Sequence, residues 1–194
     1  MTKKKLTELK TNAVIGTSSF RREFQIKCIR ADINCKLIRG NVDTRIRKLK
    51  DKLYDAIVLS YAGIKSLKMN DYISEIFSVE DLIPSAGQGT ISLQCREDDN
   101  EIISILKKIN HDNTHQRVTA ERNVLKVLEG DCETAVGAHA RIDGNKITLE
   151  AELFSLDGSK RFYEKKSSEI INAESLGKEV GKILKSKSKN TYKR

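Results

Sequence analysis

Four arginines lie where predicted strands give way to predicted helices. Arg21 and Arg22 fall in the first turn of one helix, where a positive side chain opposes the helix dipole and helix stability does not favour it. Arg39 and Arg45 flank the start of the next helix. Hydroxyl donors precede the first pair: Thr17, Ser18 and Ser19. Because α/β folds bind ligands at the carboxyl ends of parallel strands, this pattern predicts a cleft for a ligand with several carboxylates or phosphates. Two solvated, basic helix starts are an equally good interpretation of the residue types alone.

Cys132 is a second candidate for chemistry. It is predicted to lie in a loop between a helix that ends at Gly130 and a strand, so its sulfur would be accessible. Cys28 is instead predicted on an apolar helix face and Cys95 in a strand. Most isolated cysteines are small core residues, and the acidic neighbours of Cys132 do not favour a thiolate nucleophile.

Two weaker motifs indicate structure more than chemistry. Residues 87–89, Gly-Gln-Gly, lack the third glycine of a dinucleotide-binding motif and are interpreted as a hinge. His111 and His115 are four residues apart, but no acidic or cysteine ligand at matching spacing indicates zinc, so no metal site is predicted. We expect both histidines near a helix start, with Asp112 or Asn113 as its cap.

The elements that position the arginines alternate along the first half of the chain. Strands are predicted at residues 13–15, 35–38 and 54–61, with a helix after each of the first two. The predicted apolar faces of the two helices are Phe20, Phe24 and Cys28, and Val42, Ile46, Leu49 and Leu53. This β-α-β-α-β order predicts an α/β lobe with a mostly parallel sheet.

The second half has a different pattern. Residues 83–95 contain the single proline, three small residues and another predicted strand, and are interpreted as a segment that crosses between lobes. Helices are predicted at 98–109 and 114–128. Residues 136–142 and 146–154 then alternate around a turn, followed by a third strand and a closing helix. The apolar face of that helix is predicted to contain Leu176, Val180, Ile183 and Leu184. This pattern predicts a small antiparallel α+β domain.

The positive charge is concentrated at the two ends of the chain. The formal net charge is +9, of which residues 185–194 contribute +5, residues 1–12 contribute +3, and the rest only +1. We therefore predict two frayed basic tails and no basic face for nucleic acid. The chain has no apolar run that could span a bilayer and no secretory signal, and its four cysteines show no CxxC pair. A cytoplasmic protein without a membrane partner is expected.

Several ordered motifs together resemble the porphobilinogen deaminase (hydroxymethylbilane synthase) family. Residues 14–22 read VIGTSSFRR and residues 39–45 read RGNVDTR, close to two family motifs. Further matching stretches follow in the family's order: residues 54–59, 62–64, 87–89, 95–96 and 118–122, and then the cysteine loop at 129–132. The resemblance extends from about residue 13 to residue 184.

The resemblance implies an enzyme that joins four porphobilinogen molecules into hydroxymethylbilane and releases ammonia. It implies a dipyrromethane cofactor attached by a thioether, here to Cys132. By the same resemblance the cofactor carboxylates are held by Ser19, Arg21, Arg22 and Arg45, and the substrate and growing chain by Arg39, Arg45 and Thr17. The first two family domains are shaped like a two-lobed binding protein, and the third carries the cofactor loop.

The resemblance also implies a domain division and an omission. The predicted parts are a basic tail (1–12), the α/β lobe (13–83), a hinge with the returning portion of the first domain (84–110), the α+β cofactor-loop domain (111–184) and a basic tail (185–194). Nothing before residue 13 resembles the family's motif with the catalytic aspartate, so most of the first domain is expected to be absent and the chain alone inactive. Three functions stay open: an enzyme completed by the N-terminal portion in trans, a non-catalytic remnant that binds polycarboxylate anions, or a nucleic-acid binder whose salt-dependent affinity disappears when residues 185–194 are removed.

Overall fold

The N-terminal half forms a small parallel sheet with helices. The computed structural model describes residues 3–130 and 133–193. The strands are β1 (Val14–Gly16), β2 (Asn34–Lys36) and β3 (Ala56–Ile57), and the helices are α1 (Phe20–Ile29), α2 (Val42–Lys50) and α3 (Tyr61–Ser66). All pairing is parallel in the order β2-β1-β3, with Ile15 between Cys35 and Ala56. The predicted α/β lobe is therefore confirmed.

The C-terminal half is an antiparallel meander with two helices packed on one face. It contains α5 (Asp112–Leu128), β4 (Val136–Asp143), β5 (Lys146–Phe154), β6 (Arg161–Glu169) and α6 (Ala173–Ser188). The predicted turn joins β4 to β5, where Asp143 pairs with Lys146 and Gly144 has φ +56°. The apolar side of β5 buries its odd-numbered residues against α5 and α6: Ile147, Leu149, Ala151 and Leu153. This confirms the predicted α+β domain.

Helix α1 buries a different face from the one predicted. Its buried residues are Arg21, Phe24, Gln25 and Ile26, whereas Phe20 is 49% exposed and Cys28 is exposed. The helix lies between two partners: Ile26 packs in the core under the parallel sheet, and Phe24 packs against Phe154 of β5. The prediction for Phe20 and Cys28 was wrong because the helix has two buried sides, one of them partly polar.

Two predicted apolar segments are shorter or less buried than expected. Only Ile46 of the predicted α2 face is buried, and Leu53 is 61% exposed beyond the end of the helix. The strand predicted at 54–61 is limited to β3, because α3 already begins at Tyr61. The strand predicted near residues 90–95 does not form, and Ile91 there is 89% exposed. A strand is stable only beside a partner strand, and no sheet edge adjoins this segment among the described residues.

The prediction that both ends are frayed tails was wrong for the described parts of those ends. Leu6 is buried in the N-terminal core, and its backbone N–H donates to Glu75 Oε2 at 2.7 Å. At the other end α6 continues to Ser188, and Tyr192 is only 2% exposed with its hydroxyl 3.0 Å from the carbonyl oxygen of Leu128. A count of charges missed these contacts because single buried side chains, Leu6 and Tyr192, anchor segments in which most lysines are exposed.

No helix in the described part of the chain combines the length and the apolarity needed to cross a membrane. Across the same residues, no group of three or more His, Cys, Asp and Glu side chains is placed to bind a metal ion.

Candidate anion-binding site

The hydroxyls before α1 shape the start of the helix. Ser19 is its N-cap, and its Oγ accepts from the backbone N–H of Arg22 at 3.4 Å. Thr17 is 4% exposed; its backbone N–H donates to the carbonyl oxygen of Lys36, and its Oγ1 accepts from the N–H of Ser19. Asn41 caps α2 in the same way by accepting from Thr44 at 2.9 Å. These caps fix both helix starts at the carboxyl edge of the parallel sheet.

Arg22 and Arg45 are brought together at this edge. Arg22 Nη1 lies 3.4 Å from the carbonyl oxygen of Val58, which follows β3, and Arg45 Nε donates to the carbonyl oxygen of Gly40 at 2.7 Å. Burial lowers the pKa of Arg22, and the nearby charge of Arg45 lowers it further. Two positive side chains at one sheet edge, whose charges act on each other, favour binding of an anion there.

Arg21 is directed toward the crossing segment. It is 6% exposed, and its Nη1 donates to the carbonyl oxygen of Ile83 at 2.5 Å while its Nη2 lies 3.4 Å from Gln88 Oε1. Burial, followed by the charge of Arg22, lowers the pKa of Arg21 to about 10. Arg39 is exposed. The structure thus groups Arg22 with Arg45, places Arg21 behind them at the lobe junction and leaves Arg39 on the surface. The roles of these residues toward a ligand stay predictions.

The crossing segment is held from both sides by residues to which the sequence assigned no role. Gln25 of α1 donates to the carbonyl oxygen of Ile83 at 3.0 Å. From the C-terminal domain, Glu121 accepts from the backbone N–H of Gly87 at 2.7 Å and from that of Ala140 at 2.8 Å. Burial raises the pKa of Glu121. The segment therefore contacts both halves of the chain, and its roles as a crossing between lobes and as a hinge stay predictions.

The cysteine loop begins and ends on ordered elements. Cys132 and Asp131 lie outside the described residues. Glu129 is the C-cap of α5, in the left-handed conformation with φ 55°, and Gly130 follows it at the C′ position that the sequence predicted for it. After the loop, Ala135 packs with Phe24 and Phe154. Ala135 follows Cys132 by three residues, and Phe24 follows Arg21 by three residues. The loop therefore returns beside α1, the helix that contains Arg21 and Arg22.

The N-cap predicted for α5 was wrong. The N-cap is His111, whose Nδ1 accepts from the backbone N–H of Thr114 at 3.2 Å, while Asp112 is the first helical residue. Histidine at this position takes the place of the short polar residues that usually cap helices, and residue preferences therefore placed the cap one or two positions too late.

Comparison with known proteins matches both halves of the chain to the same family. The family model "Porphobilinogen deaminase, dipyromethane cofactor binding domain" matches residues 1–104, and "Porphobilinogen deaminase, C-terminal domain" matches residues 115–186. The porphobilinogen deaminase of Desulforamulus reducens is 41% identical over 181 residues, which cover 93% of this chain and 59% of the relative. That of Trichlorobacter lovleyi is 40% identical over 178 residues, covering 92% and 57%. A probable porphobilinogen deaminase of Nitrosopumilus maritimus is 40% identical over 185 residues, covering 95% and 59%.

The chain thus spans between 57% and 59% of the length of these relatives. The first family model alone covers more than half of the 194 residues, and the second covers most of the α+β domain. The chain belongs to the porphobilinogen deaminase family.

Proposed function

We propose that this chain is the larger part of a hydroxymethylbilane synthase of tetrapyrrole biosynthesis. The reaction would join four porphobilinogen molecules into hydroxymethylbilane and release ammonia. The observation that supports this proposal best is the position of Arg22 and Arg45 at the same carboxyl edge of a parallel sheet, in a chain of this family. Pyrroles with acetate and propionate substituents would supply the negative charge that this pair lacks.

The cofactor in this proposal is a dipyrromethane attached to Cys132 by a thioether. The name of the matching family model and the return of the loop beside α1 support it. When bound, the cofactor would provide the pyrrole from which the chain grows. Arg21, Arg22 and Arg45 would hold its carboxylates, and Ser19 could add its O–H proton while its oxygen caps α1.

The substrate side of the site would use Arg39 and Arg45, with Thr17 in support. Arg39 is exposed and free to meet a substrate carboxylate. Thr17 is buried, and its Oγ1 accepts from the N–H of Ser19. We therefore assign Thr17 to the positioning of Ser19, and the direct substrate contacts to the two arginines.

The Arg22→Gln variant is expected to bind citrate, a simple tricarboxylate probe, about 10- to 100-fold more weakly than the parent chain, because a charge-assisted hydrogen bond contributes about 1.5–3 kcal/mol. Isothermal titration calorimetry measures the difference. Arg47→Gln is the matched control, because Arg47 is an exposed arginine of α2 that lies about 200° around the helix from Arg45. Equal losses in the two variants would contradict a specific site.

We further propose that the region at 84–110 packs against a part of the family fold that lies outside this chain. Helix α4 (Asn100–Ile109) has no buried residue, although its apolar residues recur at helical spacing. The exposed apolar residues of this region are Ile91, Leu93, Ile102, Ile105 and Ile109. So much exposed apolar surface is typical of an interface. The relatives are longer by about two fifths of their own length, and that part would supply both the cover and the catalytic aspartate. We accordingly propose that the chain is divided into the α/β lobe (13–83), the hinge with the returning portion of the first domain (84–110) and the cofactor-loop domain (111–184).

Complementation tests this proposal. We expect little or no porphobilinogen consumption by the chain alone, and measurable consumption after addition of the part of the Desulforamulus reducens relative that the alignment leaves uncovered. Ile105→Glu should prevent the gain because it places a charge in the apolar interface, whereas Lys107→Glu, on the opposite side of α4, should not.

Two outcomes would count against the complementation account. Consumption by the isolated chain at the rate of the mixture would contradict its incompleteness. If both preparations are inactive while citrate still binds through Arg22, the non-catalytic remnant that binds polycarboxylate anions becomes the better assignment.

A further inference from the structure

The outer face of β5 is covered only at its C-terminal end. Its even-numbered residues point away from the core of the C-terminal domain, and Thr148 and Glu150 are partly exposed there. Glu152 and Phe154, further along the same face, are 0% and 1% exposed. Helix α1 provides the cover, since the ring centroids of Phe24 and Phe154 are 5.6 Å apart.

The same geometry places a buried carboxylate on the side of the junction where Arg21 lies. Arg21 precedes Phe24 by about one helical turn, and Glu152 precedes Phe154 by one strand repeat, so each charged residue is close in sequence to one of the two rings that meet at the junction. The charge of Glu152 raises the pKa of Arg21 and so offsets part of the effect of burial.

Only one of the two carboxylate oxygens of Glu152 has a hydrogen-bond partner among the described residues. Its Oε2 accepts from Arg161 Nε at 2.8 Å. Its Oε1 is buried and has no hydrogen-bond partner among the described residues. Burial raises the pKa of Glu152, and the charges of Arg161 and Arg21 oppose that rise. A buried carboxylate oxygen without a partner is costly, and a role as the partner of Arg161 alone would not require it to be buried beneath α1.

We infer that Glu152 is a resident counter-charge of the arginine site, placed there by the C-terminal domain, and that it lowers the affinity of the site for carboxylate ligands. Arg21 is already positioned by the carbonyl oxygen of Ile83, so Glu152 is not needed to orient it. Its negative charge instead reduces the positive potential that Arg21 adds behind Arg22 and Arg45. Ligands with several carboxylates would otherwise be held tightly, and the counter-charge keeps their binding reversible. The inference rests on the proposed function of the arginines.

The Glu152→Gln variant tests the inference, because glutamine keeps the size of the side chain and an oxygen that can accept from Arg161. We expect it to bind citrate about three- to tenfold more tightly than the parent chain at pH 7.5, the size expected for loss of one negative charge near a site of intermediate dielectric. The gain should be smaller with succinate, since an electrostatic effect scales with the charge of the ligand. Neither a packing role nor a hydrogen-bonding role predicts that dependence on ligand charge.

Glu150→Gln is the matched control. Glu150 lies on the same face of β5 but pairs with Lys165 at 2.9 Å and is not under α1. Its variant should bind citrate within about twofold of the parent, because solvent reaches this partly exposed carboxylate and screens its charge. Glu152→Leu is a second neutral variant that needs no hydrogen-bond partner, and thermal unfolding of each variant verifies that the junction is folded.

Each outcome decides between two assignments. If the parent chain binds citrate and neither Glu152 variant binds it more tightly, Glu152 is only a structural partner of Arg161, and the proposed function stands. An equal gain in Glu150→Gln would also overturn the inference, since any lost carboxylate would then do the same. If neither the parent nor the Glu152 variants bind citrate, the arginine site itself is wrong, and this inference falls with it.

Discussion

We expect the Gly177→Val variant to lose about 3 kcal/mol of unfolding free energy or more, among the largest effects of any single substitution in this chain. Gly177 lies on α6 where that helix crosses α5. A Cβ atom at this position would lie 2.2 Å from the carbonyl oxygen of Ala120 and 2.8 Å from the Cβ of Asn123. A backbone carbonyl cannot rotate away, so the two helices would have to separate and open the core between them and the antiparallel sheet.

Denaturant unfolding followed by circular dichroism measures this loss. The matched control is Lys178→Val, at an exposed position one residue further along the same helix. It should cost about 1 kcal/mol or less, because only the weaker helix propensity of valine and a surface ion pair are involved. Similar losses in the two variants would show that the contact between α5 and α6 is looser than the structure indicates.

The C-terminal domain could be predicted from sequence because its signals are local. Alternation in β4 and β5 fixes which residues face the core, and a turn with Gly144 at positive φ fixes their register. The face of α6 predicted from Leu176, Val180 and Leu184 is buried. Each of these features depends on a few neighbouring residues, so a single sequence is enough to predict them.

The burial of α1 could not be predicted because it depends on contacts distant in sequence. Gln25 bonds to Ile83, and Phe24 packs on Phe154. The apolar spacing of Phe20, Phe24 and Cys28 gave no sign that a second lobe lies on this helix. The strand predicted near residue 91 also depends on distant contacts. Residues with high strand propensity form a strand only where a sheet edge lies beside them.

The arginine motifs predict part of the candidate site. Arg22 and Arg45 meet because both follow parallel strands, which is a topological rule that the sequence pattern expresses. Glu152 and Glu121 were missed for a physical reason. An acidic residue at an even position of a half-exposed strand, or on a helix among other polar residues, normally faces water. Their burial is visible only when the two lobes are placed together.

The Cys132→Ser variant is expected to lose the cofactor completely, which is the other large effect. A thioether requires the sulfur, and the serine hydroxyl is a far weaker nucleophile under the same conditions. The loop that contains Cys132 leaves α5 after Glu129 and returns at Ala135 beside Phe24 of α1. We propose that a dipyrrole attached in this loop reaches the arginines with its carboxylates. Cys28→Ser is the matched control, because Cys28 is exposed on α1 but has no proposed role.

The intact mass of the chain tests this account most directly. The chain would be purified from a cell that makes tetrapyrroles and also expresses the N-terminal segment of a relative. We predict a mass increase equal to one dipyrrole in the parent chain and in Cys28→Ser, and none in Cys132→Ser. An unmodified parent chain, or an adduct that persists in Cys132→Ser, would contradict the proposal that this family member assembles its cofactor on Cys132.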